Sequence, residues 1–375
     1  MRWSMAARNA ASVFPEPVGA RTSTLSPFAI AGQASSCARV GAWNVASNQA
    51  RVARLKVASG SLPTNTEVTV PRMEIGLGID SRFALSDGDQ RTIAREAAGL
   101  GYTSLWTPIG NTREPFDICV AWHDASGLPT GIAVAPVSAW PIEKVASVAK
   151  ETLERTQGKF TLGTGAGRTA EAPIRVMRDA IEALRTRLPG ASVYLGALGP
   201  QMLRLAGERY DGAALNWCSA DQVRWSRERV AAGARAAGRK PSDVRIHEYI
   251  RVCIDEDEEA ARIAFATMVL TYALARPGAD KTKGYRGHFA RMGFDAALTD
   301  LEARRAGGAD DQELARTFPI GLLRLVGYWG RPEGAREAFL RLASDLYIAV
   351  VRPVPAQRND LAAVRLAMQA CAPRS

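Results

Sequence analysis

The chain has 375 residues, 47% of them hydrophobic and 23% charged, which is ample apolar material for a soluble globular core. No stretch approaches the roughly 18 consecutive apolar residues of a membrane span. The five cysteines (Cys37, Cys119, Cys218, Cys253, Cys371) stand far apart, without a Cys-x-x-Cys pair, and there are only three histidines, so neither a disulfide framework nor a metal site is indicated.

Net charge is +10, and residues 1–72 hold eight Lys or Arg against Glu16 and Glu67, so +6 of it sits in the first fifth. No basic cluster is interleaved with aromatics, and nucleic-acid binding is not expected. The same 72 residues are Ala-, Ser- and Arg-rich and lack a sustained period of 3.6 or 2. They read as a transit-like peptide, a disordered arm, or a misassigned start with Met73 as the true first residue. The fold is therefore sought in 73–375.

From Met73 the pattern is regular. Strand-length apolar runs fall at 74–79, 104–107, 131–136, 160–164, 192–197, 212–215, 244–254 and 346–351. Helical patterns fall between most of them, at 89–100, 116–125, 142–156, 172–188, 200–208 and 220–237, the last opened by a Ser219-Ala-Asp-Gln222 capping box. Eight strands alternating with helices predict a (β/α)8 TIM barrel rather than an open doubly wound sheet. The spacing breaks before the last strand, where a Gly-punctuated stretch over 276–330 reads as an insertion, a lid or entrance.

The most informative segment is Val193 to Trp217, read as strand, turn, helix, turn, strand. Pro200 suits a first helical position, which needs no N–H. The free N–H groups of Gly199, Gln201 and Met202 then sit at the positive end of the helix dipole, a ready anion site or an ordinary water-capped turn. In a barrel the active site lies at the C-terminal strand ends, and the first strand delivers Ile79-Asp80-Ser81-Arg82 there. The fourth, Phe160-Thr-Leu-Gly-Thr-Gly-Ala-Gly-Arg168, carries three glycines that allow close backbone approach to a ring or phosphate. It is neither a Walker loop nor the dinucleotide fingerprint.

Four elements in this order, Gly76-Leu-Gly78, Thr130–Pro136, Gly163–Gly167 and Leu198–Trp217, resemble the bacterial-luciferase-like superfamily of flavin- and deazaflavin-dependent oxidoreductases. The resemblance covers about Met73 to the C-terminus. It favours Met73 as the start and implies a non-prolyl cis peptide at Ala133–Val134 behind the cofactor ring. It also implies cofactor contacts at Ala133, Val134, Gly165, Ala166, Gly167, Leu198, Gly199, Pro200, Gln201 and Met202. The wording of 195–208 is closer to methylenetetrahydromethanopterin reductase-like proteins, which implies coenzyme F420 and hydride transfer to a small-molecule substrate. The alternatives are an FMN-dependent monooxygenase, a catalytically silent cofactor-binding protein of the same fold, and a phosphate-binding lyase or isomerase on a generic barrel. Arg168, Arg204 and Arg209 are candidates for the anionic cofactor tail, or are solvated helix surface.

The Asp-His proton donor of several relatives is replaced here by Pro108-Ile-Gly110. Asp80 is the expected catalytic substitute, with Glu114 and Asp117 behind it; His123 and His247 read as structural. Trp106 and Trp217 are expected at strand mouths. The scattered cysteines read as reduced thiols of a cytoplasmic protein, and the resemblance is compatible with a homodimer.

Overall fold

The structure, a computed structural model, describes residues 73–80, 83, 85–109, 112–167, 172–357 and 360–373. The readings made for 1–72, Ser81, Arg82 and Arg168 lie outside these residues.

Strands and helices alternate through the first half of the barrel: β1 (Glu74–Gly78), α1 (Asp87–Gly99), β2 (Ser104–Thr107), α2 (Glu114–Ser126), β3 (Thr130–Pro136), α3 (Ile142–Arg155), β4 (Phe160–Gly165) and α4 (Pro173–Arg187). They continue as β5 (Ser192–Gly196), α5 (Pro200–Arg209), β6 (Gly212–Asn216), α6 (Ala220–Ala236), β7 (Arg245–Ile254) and α7 (Glu258–Ala273). Four short helices follow, α8 (Gly284–Phe289), α9 (Asp295–Ala306), α10 (Asp311–Arg316) and α11 (Ile320–Val326). Then come β8 (Gly327–Gly330), α12 (Ala335–Leu342), β9 (Ile348–Pro353) and α13 (Leu361–Ala370).

Strands β1 to β7 and β9 close a parallel ring, β9 pairing with both β1 and β7. This is the expected (β/α)8 barrel. Strand β8 lies outside it. Ten residues make β7 long enough to serve three neighbours: Arg245–Tyr249 face β6, His247–Val252 face β9, and Arg251–Ile254 face β8. The sequence reading missed β8 because Gly-Tyr-Trp-Gly is short and glycine-bounded, and it missed α13, whose N-cap Asp360 accepts from Ala362 and Ala363 N–H. The predicted capping box of α6 is one-sided. Ser219 Oγ accepts from Gln222 N–H at 3.2 Å, but Gln222 Oε1 has no partner.

Three apolar clusters hold the fold. The largest lies between the ring and its helices, with Leu77, Leu105, Ile132, Leu162, Val193, Ala213, Ile250 and Val351 turned outward onto helix residues such as Ile93, Trp122, Ile181 and Phe339. Inside the ring, Trp106, Tyr194, Tyr249, Ile348 and Val350 fill the barrel. Trp106 is accommodated by missing side chains: a Cβ at Gly131 would stand 2.4 Å from its ring, and one at Gly76 about as close as 3.0 Å. The third cluster joins α7 to α8–α11 through Phe265, Val269, Phe289, Leu314, Phe318 and Leu322. The stretch predicted as an insertion is thus a packed helical layer with its own core. Arg286 of α8 pins it, buried and bonded to Glu302 and Asp295 at 2.8 Å each.

Candidate active site

A cavity of about 1120 Å³ opens at the C-terminal ends of the ring strands, large for a drug-sized ligand alone. Its wall includes all eleven residues named from sequence: Asp80, Ala133, Val134, Gly165, Ala166, Gly167, Leu198, Gly199, Pro200, Gln201 and Met202. Three separate pieces of chain account for ten of them.

The first piece is a break in β3. Pairing to β4 shifts between Ile132 and Ala135, and the Ala133–Val134 peptide is cis. The bulge turns Val134 into a space left by three glycines of two strands, β4 and β5. A Cβ at Gly165 would stand 3.0 Å from Val134 Cγ2, one at Gly163 3.0 Å from Val134 Cγ1, and one at Gly196 3.2 Å from Val134 Cγ2. The glycines of β4 were expected to admit a ligand; Gly163 instead admits the side chain and backbone of the neighbouring strand.

The second piece is the loop after β4, where Gly167 adopts φ +66° and a Cβ would meet Ser138 Oγ at 2.2 Å. A left-handed backbone without room for a side chain requires glycine. The third is the start of α5. Gly199 is the N-cap with extended backbone, Pro200 is the first helical residue, and no side chain caps the helix. A Cβ on Gly199 would meet nothing within 4 Å, so this N-terminus opens onto the cavity. The positive end of the helix dipole and the uncapped N–H groups of Gln201 and Met202 suit a phosphate.

The cations expected beside this turn are elsewhere. Arg204 is exposed on α5, and Arg209, at the far end of the helix, pairs with Glu182; neither lines the cavity. Arg291, from the helical layer, does: its Nη2 donates to Leu198 O at 3.2 Å, and Lys283 lines the same wall.

The opposite side of the cavity is built from charged and polar side chains. Asp80, at the end of β1, is 3% exposed and accepts from Arg352 Nη2 at 2.5 Å. Arg352 in turn lies over the Tyr249 ring. Arg251 of β7 donates to Asn216 Oδ1 at 2.6 Å and to Tyr249 O at 3.2 Å, and stacks on Trp217 with 3.7 Å to the ring centre. Asn216 Nδ2 donates to Tyr285 of α8 at 2.6 Å. Burial, then the neighbouring Arg352 charge, brings Arg251 down to about 10. Burial also pushes Tyr249 up, so its hydroxyl keeps its proton. Sequence reasoning missed Arg251, Arg352 and Asn216 as site residues. The available signal was a lone arginine inside each of two apolar strands, Tyr-Ile-Arg251-Val-Cys and Val-Val-Arg352-Pro-Val.

Of the other candidates, Glu114 lines the cavity from the start of α2, whereas Asp117 is spent on a surface pair with Arg113. His123 is structural, its Nδ1 2.9 Å from Leu128 O. His247 is fully buried in the barrel interior, 4.2 Å from Trp106, and both ring nitrogens lack partners, so burial lowers it to about 3. Its neighbour Glu248 faces outward, accepts from Cys218 N–H at 2.6 Å, and is raised by burial to about 8. Trp106 and Trp217 are not at open mouths: Trp106 fills the barrel and Trp217 is covered by Arg251.

A parallel eight-stranded barrel with a bulged third strand, an uncapped helix after the fifth and a large cavity over the strand ends defines a barrel-enzyme architecture built to hold an extended ligand. The family model for luciferase-like monooxygenases matches residues 176–348. The 5,10-methylenetetrahydromethanopterin reductase of Methanolobus tindarius is 27% identical over 312 residues, covering 73% of this chain and 92% of that protein. The structure of the coenzyme F420-dependent tetrahydromethanopterin reductase from Methanopyrus kandleri superposes with a TM-score of 0.62 at 17% identity, covering 79% and 97% of the two chains. An F420-dependent secondary alcohol dehydrogenase, solved with an F420-acetone adduct, superposes with a TM-score of 0.57 at 14% identity over 80% and 99%. These matches make the chain similar to luciferase-like proteins and to F420-dependent relatives of the same barrel fold. Among the described residues no helix is long and apolar enough to cross a membrane, and no group of three or more metal-ligating side chains occurs.

Proposed function

We propose that this protein is an F420-dependent oxidoreductase that moves hydride between the deazaflavin and a small organic substrate. One observation carries the reading: the Val134 bulge and the uncapped start of α5 open onto one cavity with room for both a cofactor and a substrate. The names of two F420-dependent structural neighbours, the tetrahydromethanopterin reductase and the secondary alcohol dehydrogenase, support the choice of cofactor. The fit is of the right kind, because the cradle at Gly199 is backbone only and would be filled by any larger side chain aimed at the cavity.

In this reading the N–H groups of Gln201 and Met202 hold the cofactor phosphate, with Arg291 supplying charge from the helical layer. Ala133, Val134, Gly165, Ala166 and Gly167 form the surface against which the ring system lies. Bound F420 supplies the hydride donor and acceptor at its C5, so the protein's part is orientation and exclusion of water. Asp80 acts through Arg352, fixing that guanidinium by a buried ion pair, and is a positioning residue rather than a proton donor. Tyr249 offers a protonated, unpartnered hydroxyl at the floor of the cavity, and Glu114 a carboxyl at its rim.

The second reading, FMN-dependent monooxygenation, is favoured by the description of the family model. Titration of the full chain with oxidised F420 and, separately, with FMN separates the two. Trp217 fluorescence reports on both, since its ring touches the cavity-lining Arg251 and Tyr272. Micromolar binding of F420 with FMN at least tenfold weaker is the expected result. FMN binding alone would replace the first reading with the second, and binding of neither would overturn both.

A further inference from the structure

The charged half of the cavity holds more positive than negative charge, and the imbalance is buried. Arg251 and Arg352 are register partners on the adjacent parallel strands β7 and β9, 2% and 4% exposed, so their side chains leave the sheet on the same side. Asp80 neutralises Arg352. Arg251 has no carboxylate within ion-pair distance among the described residues, and its Nε hydrogen, with less than 1 Å² of exposed surface on the nitrogen, has no acceptor. Its bonds go to an amide and a carbonyl oxygen, which are neutral. Glu248 is the nearest acid in sequence, but it points to the other face of β7, where the Cys218 N–H holds it. The Tyr249 hydroxyl, beneath Arg352, is a second buried donor without an acceptor.

A buried guanidinium without an anion is costly. Its own Nε hydrogen and the Tyr249 hydroxyl, both without acceptors, add to that cost. Arg251 and Tyr249 both line the same cavity. An anion entering there would accept from Arg251 Nε and Tyr249 Oη and balance the extra charge. The planar fork of a guanidinium matches a carboxylate in particular.

We propose that Arg251, with Arg352 and Tyr249, forms an anion subsite for the substrate, and that the physiological substrate carries a carboxylate. The assignment rests on the cofactor reading for one point: with the cofactor phosphate at α5, across the cavity, the β7–β9 site is left to the substrate. The pair Asp80–Arg352 keeps the second guanidinium in place, so Arg251 is the specificity-determining residue.

The test uses the full chain with benzoate as a carboxylate probe and benzamide as its uncharged counterpart. Binding is followed by the shift in melting temperature and by Trp217 fluorescence, with F420 titrated in parallel. Benzoate is expected to bind at least tenfold more tightly than benzamide, and Arg251→Gln to lose at least tenfold in benzoate affinity while binding F420 as the parent does. Should the Gln variant fold poorly, Arg251→Lys keeps the charge and loses the fork, and is expected to weaken benzoate severalfold with F420 unaffected. Equal binding of benzoate and benzamide, or benzoate affinity unchanged in either variant, would overturn the proposal. So would parallel loss of F420 and benzoate in Arg251→Gln, which would give the site to the cofactor's own anion. If F420 fails to bind the parent chain while benzoate binds through Arg251, the cofactor reading falls and the subsite stands.

Discussion

The two sides of the cavity are made by different means. The side formed by β3, β4, β5 and the start of α5 is built from backbone: a bulge, three glycines around Val134, a left-handed Gly167 and a proline-led helix end. The side formed by β1, β7, β9 and α8 is built from side chains: Asp80, Arg352, Arg251, Asn216 and Tyr285 in one continuous chain of polar contacts and close charges. A backbone surface suits a ligand that never changes, because main-chain N–H groups present the same donors whatever the side chain. A side-chain surface can be rewritten one residue at a time, which suits the partner that differs between related enzymes.

The largest effect expected from breaking this contrast falls on the side-chain half. Asp80→Ala leaves Arg352 buried and uncompensated beside Arg251, and should cost about 3–5 kcal/mol in urea unfolding. The double variant Asp80→Ala/Arg352→Met, which removes both charges, should regain most of that loss. If the single and double variants are equally destabilised, the ion pair is not what holds this wall.

On the backbone half, Gly199→Asp should leave stability within ~0.5 kcal/mol, because the new side chain enters open space. Its carboxylate would stand where a phosphate is expected and should weaken F420 about a hundredfold, ~3 kcal/mol. Retained affinity would remove the α5 turn from the cofactor site.

A pH profile sharpens the comparison from behind β7. Burial raises Glu248 from 4.5 to about 8, so in that window the unfolded chain releases a proton that the native state keeps, and stability falls as pH rises. His247, lowered from 6.5 to about 3, and His288, lowered to about 4, act in the opposite sense as pH falls below 6.5. The three together set an optimum near pH 6.5. Glu248→Gln keeps an acceptor for Cys218 N–H and should abolish the alkaline decline, a difference of about 2 kcal/mol between pH 6.5 and pH 8. An unchanged decline in melting temperature would assign it to other groups.

The smallest effect is expected on α5 itself. Arg204→Ala, which removes an exposed charge away from the cavity, should leave F420 affinity within about twofold, whereas Arg291→Ala should weaken it severalfold. The reverse order would return the anionic tail to the helix surface.

The same contrast explains what could be read in advance. Strand-length apolar runs and helical patterns between them disclosed the eight ring strands and the six helices from α1 to α6 to within about two residues. The backbone-built half was legible because such backbone demands particular residues in adjacent positions: Gly199-Pro200, the Gly163–Gly167 triplet, and the Ala133–Val134 segment. The side-chain half was not. Asp80, Asn216, Arg251 and Arg352 are separated by up to 272 positions, and only closure of the barrel through β9 brings them together. Asp80 was singled out for its charge at a strand end, but its partner could not be, since nothing near it in sequence is Arg352. Arg291 was hidden for a related reason: the layer of α8 to α11 has mixed composition and short helices, and its position over the α5 turn is a tertiary fact.

The central claim, that the backbone-built half holds the cofactor and the side-chain half the substrate, is most directly tested by a crystal structure of the full chain with F420 bound. The account predicts the cofactor phosphate within hydrogen-bond distance of the Gln201 and Met202 N–H groups, the ring against Ala133 and Val134, and Arg251 free of cofactor contact. A phosphate seated on Arg251 and Arg352, with the α5 turn facing solvent, would contradict it.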